Sequence, residues 1–157
     1  MRAFTHLDAQ GNARMVDVSQ KPDTKRIAVA SGRIFLSAEA FALLCNQAIP
    51  KGDVFASARI AGIMATKQTS SLIPLCHPIS LTRAAIECIA HQEERSVEVV
   101  CTTETVGKTG VEMEALTGAT VALLTIYDMC KAFDRSMHLE AVRLVLKDGG
   151  ASGRYTA

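Results

Sequence analysis

The stretch TVGKTGVEMEALTGAT, residues 105–120, decides where a strand ends and the longest helix begins. It contains Gly-Lys-Thr, the closing triplet of a phosphate-binding P-loop. A P-loop needs a glycine five positions before Gly107, and that position is Thr102. The intervening Thr103, Glu104, Thr105 and Val106 are polar or β-branched and read as the end of a strand. Thr109 stands three residues before Glu112, the Thr-x-x-Glu spacing of a capping box, and an apolar run follows. The spacing predicts a helix over about 110–133 with Thr109 as N-cap and Glu112 at the third helical position. Lys108 then sits just before a helix N-terminus, where free N–H groups favour an anion.

Outward from this stretch, two alternating runs read as a hairpin. In LTRAAIECIA (81–90), Ala84, Ile86, Cys88 and Ala90 alternate with Arg83, Glu87 and others. In SVEVVCTTE (96–104), Val97, Val99 and Cys101 alternate with Glu98, Val100 and Thr102. GRIFLS (32–37) reads as a short strand, and Ser37 caps a helix over about 38–47 with Phe41, Leu44 and Cys45 inward. Pro50 and Gly52 punctuate. Asp53 caps a second helix over about 54–68, whose Ala56, Ala58, Ala61, Gly62 and Ala65 allow close approach to another backbone. HLEAVRLVLKDGG (138–150) supplies a last strand and a Gly-Gly stop. Residues 1–30 carry few periodic signals. The order strand, helix, helix, hairpin, long helix, strand points to an α+β fold on an antiparallel sheet, as a single domain over residues 1–157 with a flexible start over 1–14.

Apolar residues make up 48% of the 157, which defines a globular chain. Seventeen Lys and Arg balance sixteen Asp and Glu, so no overall field draws in nucleic acid or an anionic membrane. Aromatics are 4% and Trp is absent, which argues against a base-stacking surface. MRAFTHLDAQ has no apolar signal core, and the apolar stretch 115–127 is too short to span a bilayer. Cys45, Cys76, Cys88, Cys101 and Cys130 are odd in number and lack Cys-x-x-Cys spacing, so reduced thiols, a cytoplasmic location and no zinc site are expected.

Four places are candidates for chemistry. In PLCHP (74–78), two prolines restrain the loop and Pro78 keeps His77 out of the α region, against the plain alternative of an incidental surface histidine. Cys76 reads as a buried thiol unless a base or helix terminus activates it. Lys51, before Gly52, is either a solvated lysine or a cation aimed at an anionic substrate. Asp128 and Lys131 share a face at the end of an otherwise apolar helix. Such a pair is a surface ion pair in the bland reading and, desolvated in a cleft, an acid and base in the functional one. Glu112 and Glu114 are about 200° apart on a helix and so are not expected to pair. Glu112 has its capping role; Glu114 has none, which marks it as the functional candidate.

At these residues the chain resembles the molybdenum cofactor biosynthesis protein C family, the cyclic pyranopterin monophosphate synthases. The matching blocks are MVDVS (15–19), KGDVFASARIAGI (51–63), LIPLCHP (72–78), GKTGVEMEALT (107–117) and ALLTIYDMCKA (122–132), with a looser match over 142–153. The resemblance implies a ferredoxin-like α+β fold and a homohexamer built as a trimer of dimers, with sites between subunits. It implies a lyase of molybdenum cofactor biosynthesis that takes a cyclised dihydro-GTP, supplied by a radical S-adenosylmethionine GTP cyclase, to cyclic pyranopterin monophosphate and pyrophosphate. The site residues carried over are Leu75, Cys76, His77, Glu112, Met113 and Glu114 for substrate, and Asp128, Lys131 and Lys51 for catalysis. Ala151 departs from the expected pattern, which more often has a basic residue there. Lys147 is left as a phosphate candidate in that segment. No resident metal or redox cofactor is expected, with magnesium arriving on the triphosphate if at all. Two other classes share these features: a nucleotide-sensing module, which has no need of the Asp128–Lys131 pair, and an assembly protein whose small-residue helix is only an interface.

Overall fold

Helix starts in this chain follow local side-chain chemistry where a cap is present. Ser37 accepts the Ala40 N–H at 3.3 Å and opens α1 (Ala38–Cys45), and Asp53 accepts the Ala56 N–H at 2.9 Å and opens α2 (Val54–Thr66). The computed structural model describes residues 7–8 and 10–157. The expectation of a flexible start over 1–14 therefore lies partly outside the described residues. Within them, Leu7 bridges to Ala13 around a turn in which the Asp8 carboxylate accepts the Gln10 and Asn12 N–H groups.

The first strand is longer than the sequence suggested. β1 runs Thr24–Phe35, ending two residues short of the predicted 32–37 stretch and beginning eight residues earlier. Its inward side is Ala28, Ala30, Gly32 and Ile34, all buried. Small residues there carry little strand signal. They let the long helix α4 (Glu112–Cys130) lie close: a Cβ on Gly32 would come within 2.8 Å of the Leu123 Cδ1. A four-residue helix, α3 (Thr69–Leu72), follows α2 and leads into the proline-bracketed loop.

β2 (Arg83–His91) and β3 (Ser96–Gly107) form the expected hairpin, and β4 (His138–Asp148) and β5 (Tyr155–Thr156) complete the sheet in the order β2-β3-β1-β4-β5, all antiparallel. Between β1 and β2 the chain crosses over through α1 and α2, and β3 fills the gap; between β3 and β4 it crosses through α4, and β1 fills the gap. Two interlocked split crossovers of this kind are the ferredoxin-like arrangement. Helices and sheet enclose one core, in which Phe41, Ile34, Leu123, Ile126, Val97 and Val99 are the large buried side chains.

Cys45 corrects one expectation. It is the last residue of α1 and is exposed, while Phe41 and Leu44 face the core. α2 and α4 cross where both lack side chains: a Cβ on Gly62 would stand 2.9 Å from the Gly118 carbonyl oxygen. The expected close approach of the small-residue helix is therefore made against α4, which passes through Gly118 without a break.

Candidate functional site

The start of α4 is set by tertiary contacts, not by a capping box. Its first residue is Glu112, its N-cap position is Val111, and no side chain caps it. Thr103 of β3 instead donates its hydroxyl to the Val111 carbonyl at 3.0 Å, holding the helix start against the sheet. Released from capping, the Glu112 carboxylate folds back into the space a Cβ on Gly110 would take. Glu112 and Glu114 then line the same cavity, against the expectation that helical geometry would keep them apart. That expectation assumed both inside the helix, whereas a side chain on the first residue is free to turn back.

This cavity, of about 300 Å³, is lined by Leu75, Cys76, His77, Glu112, Met113 and Glu114, all six of the residues expected to bind substrate. The loop that brings in the first three is pinned at its far end, where Thr105 donates its hydroxyl to the Ser80 carbonyl at 2.7 Å. Glu114 is 4% exposed. Burial pushes its carboxyl upward in pKa, and the neighbouring Glu112 adds to that, outweighing a backbone hydrogen bond that acts the other way. A carboxyl in such a cavity can accept hydrogen bonds from a heterocyclic ring, and can also donate one when it carries a proton. Burial, and secondarily Glu114, also pushes the Cys76 thiol up, so it is not an activated nucleophile.

Asp128, Lys51 and Lys131 gather at the other end of α4. Gly52, at φ +105°, allows the sharp turn that carries Lys51 into α2. Asp134 accepts the Ser37 N–H at 2.7 Å and so ties the chain beyond α4 to the start of α1. The Lys51 ammonium donates to the Asp128 main-chain oxygen at 2.7 Å and to its Oδ2 at 3.3 Å, while Lys131 donates to Oδ1 at 2.7 Å. The main-chain oxygen is one of the carbonyls a helix end leaves without an internal partner. Hydrogen bonds from Lys131 first, and then Lys51, hold the Asp128 carboxyl below its ordinary range, and Asp128 holds the Lys131 ammonium above its own. The pairing fixes Asp128 as the carboxylate and Lys131 as the ammonium, the forms in which a base and an acid begin, while making each the weaker at that task.

The enclosing cleft expected around this trio is not formed by the single chain. The Lys51, Asp128 and Lys131 side chains are 46, 60 and 54% exposed, and the two lysines line an open depression of about 470 Å³. On the outer side of α4, Met113 and Leu124 are 36 and 51% exposed, with Leu116, Thr117, Thr120 and Val121 half-buried between them.

Sequence reasoning did not find the rest of the cavity wall. Val16, Val18 and Lys21 line it, together with Ile79, Thr109 and Gly110. Their segment lacks periodicity, and only the block MVDVS drew attention to it. Lys147, the remaining phosphate candidate, donates to the Ser152 hydroxyl and lines neither group's cavity. Among the described residues, no three His, Cys, Asp or Glu side chains gather as metal ligands, and no helix is long and apolar enough to cross a membrane.

The fold and the two groups define a ferredoxin-like domain organised around one long helix with a cluster of ionisable side chains at each end. The chain belongs to the MoaC family, which matches residues 15–150. It is 55% identical over 155 residues to the cyclic pyranopterin monophosphate synthase of Roseiflexus sp. (strain RS-1), covering 99% of this chain and 98% of that protein. Proteins of the same name from Heliobacterium modesticaldum and Cereibacter sphaeroides (strain ATCC 17029) are 54 and 52% identical, over 99 and 100% of this chain and 98 and 99% of theirs.

Proposed function

We propose that this chain is a cyclic pyranopterin monophosphate synthase, a phosphorus–oxygen lyase of molybdenum cofactor biosynthesis working as one domain over residues 1–157. It converts (8S)-3′,8-cyclo-7,8-dihydroguanosine 5′-triphosphate to cyclic pyranopterin monophosphate and pyrophosphate. The observation that carries this reading is the match to enzymes of that name over nearly the whole chain, with a carboxylate-lined cavity and a Lys–Asp–Lys trio on its central helix.

Each group has a part in the chemistry. Leu75, Cys76, His77, Glu112, Met113 and Glu114 hold the purine-derived ring. Closing the cyclic phosphate requires a substrate oxygen to attack the α-phosphorus as the bond to the β-phosphate oxygen breaks. Asp128 accepts a proton and Lys131 supplies one during ring rearrangement, while Lys51 with Lys131 or His77 offsets the charge growing on pyrophosphate. No net oxidation state changes, so no resident redox cofactor is required; magnesium would arrive on the triphosphate. The substrate comes from a radical S-adenosylmethionine GTP cyclase. Five free cysteines suit a cytoplasmic setting, with no nucleic acid or membrane as partner.

The two groups serve one site in an oligomer. Glu114 and Asp128 are fourteen residues apart on an unbroken helix, about 21 Å along its axis and within about 40° of one face. Two copies of α4 packed antiparallel would bring Glu114 of one chain toward Asp128 of the other and cover the exposed Met113 and Leu124. A trimer of such dimers gives the homohexamer. Incubating the purified protein with the cyclised dihydro-GTP and assaying pyrophosphate tests the activity. Absence of release with every divalent metal supplied would remove the enzyme reading.

A further inference from the structure

Residues 15–21 have no regular structure, yet they wall the carboxylate cavity with Val16, Val18 and Lys21. Among the described residues, two hydrogen bonds tie this segment to the body of the domain. His77 Nε2 lies 2.8 Å from the Val16 carbonyl oxygen, and the Lys108 ammonium donates to the Ser19 carbonyl at 2.7 Å. The segment's other bonds are internal: Ser19 N–H to the Asp17 carboxylate at 2.8 Å, and Lys21 N–H to the Val18 carbonyl at 3.0 Å. Beyond Val18 lies a second cavity of about 390 Å³, lined by Lys108 and Gly107. Val18, His77, Ile79 and Thr109 line both cavities, and Val18 is the part of the partition that residues 15–21 contribute.

We infer that residues 15–21 are a strap latched over the site by His77 and Lys108, and that a phosphorylated ligand opens it by taking those donors. The inference rests on reading this cavity as a site for such a ligand. An ionised phosphate oxygen is a much stronger partner for an ammonium than a neutral carbonyl. His77 Nε2 carries a single N–H, so it cannot serve the Val16 carbonyl and a phosphate together. Once both anchors are gone, the strap keeps no hydrogen bond to the domain, and the partition at Val18 can lift to join the two cavities into one trough. An elongated ligand with a ring at one end and phosphates at the other needs such a trough.

Hydrogen–deuterium exchange of the full chain, resolved from milliseconds to seconds over the peptide containing Ser19 and Lys21, reads the latch without requiring turnover. Inorganic tripolyphosphate is the probe, against chloride at matched ionic strength. Exchange in this peptide is expected to quicken by about threefold or more, the scale of losing one or two modest hydrogen bonds. Lys108→Met should quicken it to a similar degree with no polyphosphate present, and Lys108→Arg, which keeps a cationic donor, should restore slow exchange. Exchange that tripolyphosphate leaves unchanged or slows, or a Lys108→Met strap as slow as wild type, overturns the latch. Neither result depends on whether pyrophosphate is released from the nucleotide substrate, so failure of the latch and failure of the enzyme reading are separable.

Discussion

Asp128 and Lys131 stand in water in the single chain, and that decides what their loss should do. Exposed ion pairs contribute little to folding. Asp128→Asn and Lys131→Ala are therefore expected to abolish turnover while leaving Tm within about 2 °C of wild type. Thermal melts and product assays on the same preparations check this; a large fall in Tm with activity kept in the folded fraction would make the pair structural. Glu114 is the opposite case. Burial raises its folded pKa above the unfolded value, so its ionised form opposes folding. Relative to a neutral side chain, wild type loses stability as pH rises from the unfolded pKa through the raised folded one. Glu114→Gln should match wild type in Tm near pH 3.5, where both are neutral, and exceed it at pH 8, while losing substrate binding. A variant less stable than wild type at pH 8 would mean the carboxylate has a stabilising partner.

At the scale of elements, the crossing of α2 and α4 fixes where both clusters sit, because α4 carries one at each end. Gly62→Ala should destabilise the protein by up to about 2 kcal/mol. Alanine gains about 1 kcal/mol in a helix, but overpacking costs about 1–3 kcal/mol, and here the neighbour is backbone that cannot rotate away. The added Cβ would meet Ile86 at 2.8 Å and the Gly118 oxygen at 2.9 Å. Urea unfolding measures it, and a more stable variant would show that the helices can separate cheaply. The same contacts explain what the sequence could reveal. The caps at Ser37 and Asp53 and the hairpin were legible because each depends on neighbours in the chain. The part of β1 before Gly32 was not, because Ala28 and Ala30 are small on the side that faces α4, a partner some ninety residues away. The α4 start misled for a similar reason: Thr103 does from the sheet what Thr109 was expected to do from the helix. The grouping of the six cavity side chains and of the Lys–Asp–Lys trio was legible through the motif blocks, but residues 15–21 meet the domain through backbone carbonyls, which leave no mark in side-chain identity.

For the whole molecule, the described residues of one chain form no enclosed site around the trio. The carboxylate cavity and the Lys–Asp–Lys trio lie about 21 Å apart, too far for one nucleotide to meet both and be shielded from water. A kink at Gly118 would have offered an answer within one chain, but α4 is continuous there, with Gly118 held against Gly62 and Cys101. A twofold axis repeats each contact reciprocally, so two antiparallel copies of α4 would form two sites, each with Glu114 from one chain and Asp128 from the other. Complementation tests this. Glu114→Gln and Asp128→Asn are prepared separately, each confirmed inactive, then unfolded and refolded together. A mixed dimer would hold one site with both lesions and one with none. Random pairing makes about half of the dimers mixed, and half of the sites in those are intact, so activity should return to about a quarter of wild type. Mixed oligomers that form, as shown by tag exchange, and stay inactive would assign both residues to a site within one chain.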